Sequence, residues 1–141
     1  MLPNSYVIKN LLENSNLLEL TDSLRANTNK LTYKPFFTST PQDDFTNAPD
    51  NAPWFRVTNI PYDEALFADN TRFIQYHRVQ VDFWVKQKDS GHIQAIMEQV
   101  YQTMRGINYE RYYQAIGTDA DDNRLIMVTQ NFEGYEERNE I

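Results

Sequence analysis

Apolar residues near the start of the chain recur at helical spacing. Val7, Ile8, Leu11 and Leu12 line one stripe, with Asn4 or Ser5 placed to cap the first turn. Asn14, Ser15 and Asn16 interrupt the stripe, and Leu17, Leu18, Thr21 and Leu24 resume it as a second short helical stretch. From Leu31 the period changes: Leu31, Tyr33 and Phe37 predict a strand, which Pro35 confines to an edge or a bulge because proline cannot donate to a ladder. Residues 39–53, STPQDDFTNAPDNAP, hold a single large apolar residue, Phe45, and read as a long loop. WFRVTNI, residues 54–60, reads as a strand that Pro61 ends.

The clearest strand pattern covers residues 73–86. His77, Val79, Val81, Phe83 and Val85 fall on one face, and Tyr76, Arg78, Gln80, Asp82 and Trp84 on the other. The first is a core face. The second mixes polar groups with Tyr76 and Trp84, which points to partial cover by another element or another chain. A helix follows, capped by Ser90, with Ile93, Ile96, Met97, Val100, Tyr101 and Met104 as its apolar stripe and Gly106 as a left-handed stop. Two strands, near 109–117 and 124–132, close the chain around an Asp/Asn-rich turn at 118–123. This order predicts an α+β fold: a mixed, mostly antiparallel sheet of about four to five strands with helices packed on it. One domain is expected over residues 1–141, with an acidic tail mobile from about residue 134.

Composition narrows the function classes. The formal net charge is −7, from 20 acidic and 13 basic residues, and no basic run occurs. A chain of that balance is not built to grip the outside of a duplex. It has no cysteine, so disulfides, thiolate metal sites and cysteine nucleophiles are excluded. The N-terminal MLPNSYVIKN lacks a secretory pattern and no segment approaches about 18 consecutive apolar residues, so no membrane partner is expected and a cytoplasm is the default place of synthesis.

Candidate chemistry is sparse. Asp119, Asp121 and Asn123 alternate as at the opening of a helix-loop-helix calcium site, but Arg124 stands where that loop needs glycine and Gln130 where it needs a bidentate glutamate. A solvated hairpin turn is the better reading. His77 and His92 are not at metal-ligand spacing, no GxSxG elbow occurs, and glycines at 91, 106, 117 and 134 cannot build a phosphate loop. Tyr109, Tyr112 and Tyr113, near Arg105 and Arg111, look like a base-stacking platform, yet an acidic chain without a basic groove favours packing on the sheet or at a subunit contact. No catalytic residue, metal or cofactor is expected, and the protein is not expected to be an enzyme. Phe45, Tyr76 and Trp84 are the candidate subunit-interface residues, with Phe45 either anchoring a neighbour or tucking into its own domain.

The layout, and particular stretches within it, resemble the tail terminator (tail completion) proteins of long-tailed bacteriophages, among them small tail proteins of phages of lactic-acid bacteria. The stretches are the amphipathic N-terminal helix, APWFRVTNIP before an ALFADN loop, the strand YHRVQVDFWVK, the helix HIQAIMEQVYQTM, and the closing hairpin with DADDNRLIMVTQNFEGYEE. The resemblance spans residues 5 to about 136 and includes no catalytic signature. It implies a structural role in the virion tail after assembly in the host cytoplasm. The implied partners are copies of the chain in a hexameric ring, the tail tube protein and a head completion or connector protein. Double-stranded DNA is implied to pass through the channel unheld, with acidic walls repelling its phosphates. The long loop at 39–53 departs from that pattern. Another head–tail connector or tube subunit is the alternative, followed by a small-molecule binding domain, which needs a deep pocket with convergent polar groups.

Overall fold

The computed structural model describes residues 1–26, 31–61, 65–68 and 71–137, and only the backbone at 65–68, 71–75, 136 and 137. Helices α1 (Pro3–Leu12) and α2 (Ser15–Leu24) lead into a two-residue strand β1 (Phe36–Phe37) and a single helical turn α3 (Asp43–Thr46). Strands β2 (Trp54–Ile60), β3 (Ala65–Ala68) and β4 (Thr71–Lys86) follow, then α4 (Ile93–Gly106), β5 (Tyr109–Thr118) and β6 (Leu125–Glu137). The sheet runs β1-β2-β4-β6-β5, with β3 also on β4; β1 lies parallel to β2 and every other pairing is antiparallel. The fold is α+β, as the pattern predicts. Among the described residues the main path of the sheet has five strands, as expected, and ALFADN, read as a loop, supplies the short β3 off that path.

β4 organises everything else. It pairs with β2 over residues 78–84, with β3 over 71–75 and with β6 along 74–86. Its core-face residues Val79, Val81, Phe83 and Val85 are fully buried with Phe55 and Val57 of β2 and Val128 and Phe132 of β6. Over them lie Val7 and Leu11 of α1, Leu17 of α2, and Ile93, Ile96, Met97, Val100 and Met104 of α4. The helical stripes and the strand alternation thus meet in one core.

Several local expectations are corrected. Asn4 does not cap α1: Pro3 opens the helix, its missing N–H being one that no helix start uses, and Leu2 takes the cap position. Asn4 is instead buried, its backbone N–H donating to Asn59 Oδ1 (2.9 Å) and its amide to the Val57 carbonyl (3.4 Å). Asn14 does act as a cap, its Oδ1 accepting from the Leu17 amide at 3.0 Å. Ser90 lies in a 3₁₀ segment, Gln87–His92, so His92 holds the position before α4. No described glycine has positive φ; the left-handed residue after α4 is Asn108 (φ 70°), whose short polar side chain tolerates that region. The strand predicted around Leu31 shrinks to Phe36–Phe37, just past Pro35.

The segment 39–53 is not an open loop. It carries α3 and a 3₁₀ turn, Pro49–Asn51, and it packs on the sheet face opposite the helices. Arg25, 5% exposed, ties it to α2: Nε donates to the Asn51 carbonyl (3.0 Å), a terminal nitrogen donates to the Pro53 carbonyl, and Nη1 pairs with Asp22 at 2.7 Å. Burial lowers the pKa of this guanidinium and Asp22 acts against that shift. Lys86 donates to the Leu24 carbonyl (2.7 Å), which puts a cation on the negative end of α2. The tail expected to be mobile from 134 is strand through Glu137; residues 138–141 lie outside the described ones. Gly134 is required there, because a Cβ would stand 2.5 Å from the ring of Tyr109 on the neighbouring strand.

Phe83→Ala removes one of the three fully buried phenylalanine rings of this core and is expected to cost about 3–5 kcal/mol, measured by denaturant unfolding. A loss under about 1 kcal/mol, the range of exposed sites, contradicts the face assignment.

Candidate interaction face

The face of the sheet turned away from the helices is divided. At one end, Trp54 and Trp84 stand directly opposite each other on β2 and β4 and stack at 5.7 Å, with planes 21° apart. Phe45, at the end of α3, meets Trp54 edge-on at 5.4 Å, and Phe37 meets Phe45 at 5.3 Å. Ala52 and Leu125 complete this second cluster. Phe45 therefore tucks into its own domain, 9% exposed, and Trp84 is 8% exposed. Neither ring has much area left for a neighbouring chain.

The buried charge beneath this cover is matched. Asp82 is fully buried, and Arg56 reaches it from β2 with Nη2 at 2.8 Å and Nε at 3.1 Å. Gln80 donates to the same carboxylate at 3.0 Å. The guanidinium lies 5.1 Å over the Trp84 ring and holds Thr40 Oγ1 at 3.0 Å, joining the 39–53 segment to the sheet.

The acidic turn closes the same end. Asp119 Oδ1 accepts from Trp84 Nε1 at 3.2 Å, and its Oδ2 accepts from the backbone amides of Asp121 (3.3 Å) and Asp122 (3.1 Å). That is a carboxylate-stabilised turn. Among the described residues no three His, Asp or Glu side chains converge as a metal site needs. Arg124 clasps Asp122 with Nη2 at 2.7 Å, Nε at 2.9 Å and its backbone N–H at 3.0 Å, and these bonds lower the carboxyl pKa to about 2.

The other end of the face lies open. Tyr76, half-buried, meets Tyr135 edge-on at 6.4 Å, and Arg78 lies 5.1 Å over Tyr112 and pairs with Glu133 at 3.3 Å. Tyr112, Tyr113 and Tyr135 are 47%, 52% and 44% exposed. Of the three predicted interface residues, only Tyr76 lies in this open area. The tyrosines of β5 carry a signal that alternation alone misreads: β5 has one extra residue, Tyr112, between the pairs Arg111↔Phe132 and Tyr113↔Asn131. Tyr109 lies in the core ahead of the bulge, and the bulge leaves both Tyr112 and Tyr113 outside. His77 is half-buried on the helix side and His92 is exposed, so the two histidines lie on separate elements and do not form a site.

No family model and no curated protein matches this sequence. Among solved structures, one whose name states no function aligns over 94% of this chain and 97% of its own, with 14% identity and a TM-score of 0.47. Likeness at that level carries no inference.

Arg56→Ala leaves the buried Asp82 without its cation and is expected to cost about 2–5 kcal/mol in chemical denaturation. The Asp122 carboxylate, followed by NMR, is expected to titrate near 2. Because its folded-state pKa is depressed, its stabilisation is present above the ordinary carboxylate value and is lost as pH falls through about 2. Arg124→Ala is expected to return the titration toward 3.8.

Proposed function

We propose that this chain is a structural subunit of a bacteriophage tail, a terminator that closes with copies of itself into a hexameric ring on the finished tube. In that role it stops tube growth, presents a docking face to a head completion or connector protein, and remains in the virion. The observation that carries the reading beyond the sequence resemblance is the difference between the two edges of the sheet. Among the described residues β5 pairs only with β6. Its outer residues 112–118 are exposed and contain neither charge nor proline, the devices that usually guard such an edge. Tyr113 and Ile116 add exposed apolar surface on its two sides, each 52% exposed. The β2 edge is covered by β1 and by Asn4, which takes up the Val57 carbonyl and the Asn59 side chain. A ring joins neighbours head to tail and so needs two unlike surfaces on each protomer.

The net charge of −7 fits a channel that passes DNA without holding it. No helix among the described residues is long and apolar enough to cross a membrane. A head–tail connector or tube subunit is the second reading, sharing ring geometry and differing in its neighbours.

Tails assembled without this protein are expected to be of uncontrolled length and unable to join heads, and finished wild-type tails to contain it; absence from purified tails refutes the role. Deleting residues 42–51 does not test the ring cleanly, because it removes Phe45 and uncovers Trp54. Ile116→Lys does, since the side chain is half out in solvent. The variant is expected to fold normally by circular dichroism yet fail to appear on tails, and full incorporation would remove the β5 edge from the interface.

A further inference from the structure

The ladder with β6 fixes which backbone groups β5 turns outward. Asp119 donates its backbone N–H to the Leu125 carbonyl at 3.0 Å, in step with the pairs Gly117↔Met127, Ala115↔Thr129 and Tyr113↔Asn131. Hydrogen-bonded and non-bonded pairs alternate along an antiparallel ladder, so these residues turn their amides and carbonyls toward β6. The residues between them, Gln114, Ile116 and Thr118, turn theirs outward. The neighbouring ladder agrees: Gln87 donates to the Arg124 carbonyl at 3.0 Å, which gives the even-numbered residues of β6 to β4 and the odd-numbered ones to β5. All three outward residues are exposed, and among the described residues no second strand meets β5. Their side chains lie on the helix side of the sheet, Ile116 beside Val128, and their exposure leaves that side clear of the chain's own helices.

Three such residues at alternate positions are their own complement. When two identical strands pair antiparallel about a two-fold axis through Ile116, Gln114 meets the second copy's Thr118, Ile116 meets Ile116, and Thr118 meets Gln114. Each of these pairs exchanges two hydrogen bonds. A centre one residue either way sets one of the three against the bulge or the turn. Charge selects the same partner. Residues 112–118 carry none, so two chains of net charge −7 approach along them without like charges facing. At one end of that stretch stands Arg111, which has no carboxylate partner among the described residues; at the other stand Asp119 and Asp121, which have no cation partner among them. The two-fold brings the arginine end of each copy to the acidic end of the other.

We propose that the free protein is a two-fold dimer in which β5 pairs antiparallel with β5 of a second copy, centred on Ile116, so that the two sheets become one. The pairing follows from the strand itself. Its consequence for assembly rests on the tail role proposed above: a ring also needs this edge, so the dimer keeps it closed and must part before a protomer joins a tube.

Sedimentation equilibrium of the full chain, without tails, measures the pairing, and twice the chain mass is expected. Ile116→Lys sets two cations face to face on the axis and is expected to weaken the dimer about ten-fold or more, with unchanged circular dichroism. Single cysteines read the register, the chain itself having none. Ile116→Cys is expected to form a disulfide between copies on mild oxidation, because the α-carbons of a hydrogen-bonded pair stand about 5.5 Å apart. Gln114→Cys is not, since about 14 Å separates it from its own twin in this register. The proposal is overturned by a monomer at every concentration, by a hexamer in free solution, or by a dimer that Ile116→Lys leaves intact. Cross-linking of Gln114→Cys as fast as of Ile116→Cys overturns it too. The ring is judged separately: a monomer that is found on tails refutes the dimer alone, and a dimer that is absent from tails refutes the ring alone.

Discussion

A carboxylate with no solvent exposure sits in the middle of β4, and the arrangement around Asp82 constrains the rest of the sheet. A buried unpaired charge is untenable, so Arg56 must arrive directly across the ladder, as the register Arg56↔Asp82 provides. That register places Trp54 against Trp84 on one face and Phe55 against Phe83 on the other. A slip of one residue would send Arg56 into the helix side and Phe55 out of it. One ion pair thus fixes which residues build each of the two clusters. It also fixes where the 39–53 segment rests, since the same guanidinium holds Thr40.

That dependence explains what the sequence made legible. Strong alternation in β2 and β4, and the helical stripe of α4, carry their own period, so faces and approximate bounds could be read directly. The second face of β4 was also legible as covered, because Trp84 and Tyr76 interrupt its polar run. What covered it was not legible. Phe45 lies in a segment with no period, and its burial follows from the long-range tie of Arg25 to the Asn51 and Pro53 carbonyls, which local propensity does not encode. β3 was missed for a related reason: four residues are too short for alternation to speak. The strand character of 134–137 comes from the length of β4 beside it, not from its own acidic composition.

Of the candidate interaction surface, the tyrosines were visible as a cluster, but their division between core and solvent was not. Tyr109 owes its burial to the missing side chain at Gly134, one strand away, where its ring fills the space. The acidic turn was legible as a hairpin turn, and the structure has one there between β5 and β6. Its actual work, holding the Trp84 indole and its own backbone through Asp119, depends on a tryptophan far away in sequence.

The extra residue in β5 has an evolutionary consequence. Past Tyr112 every side chain of the strand keeps its direction only because the bulge is there: Tyr113 lies on the face of Asn131, and Ile116 beside Val128 on the face of the helices. Losing a single codon at this position would not shorten the strand locally. It would invert the strand from there to the turn, exchanging the sides presented by Tyr113 and Ile116, unless the ladder with β6 slipped to compensate. Drift along this edge is therefore confined to substitution, and lineages that differ in length here are expected to differ in what the edge can meet.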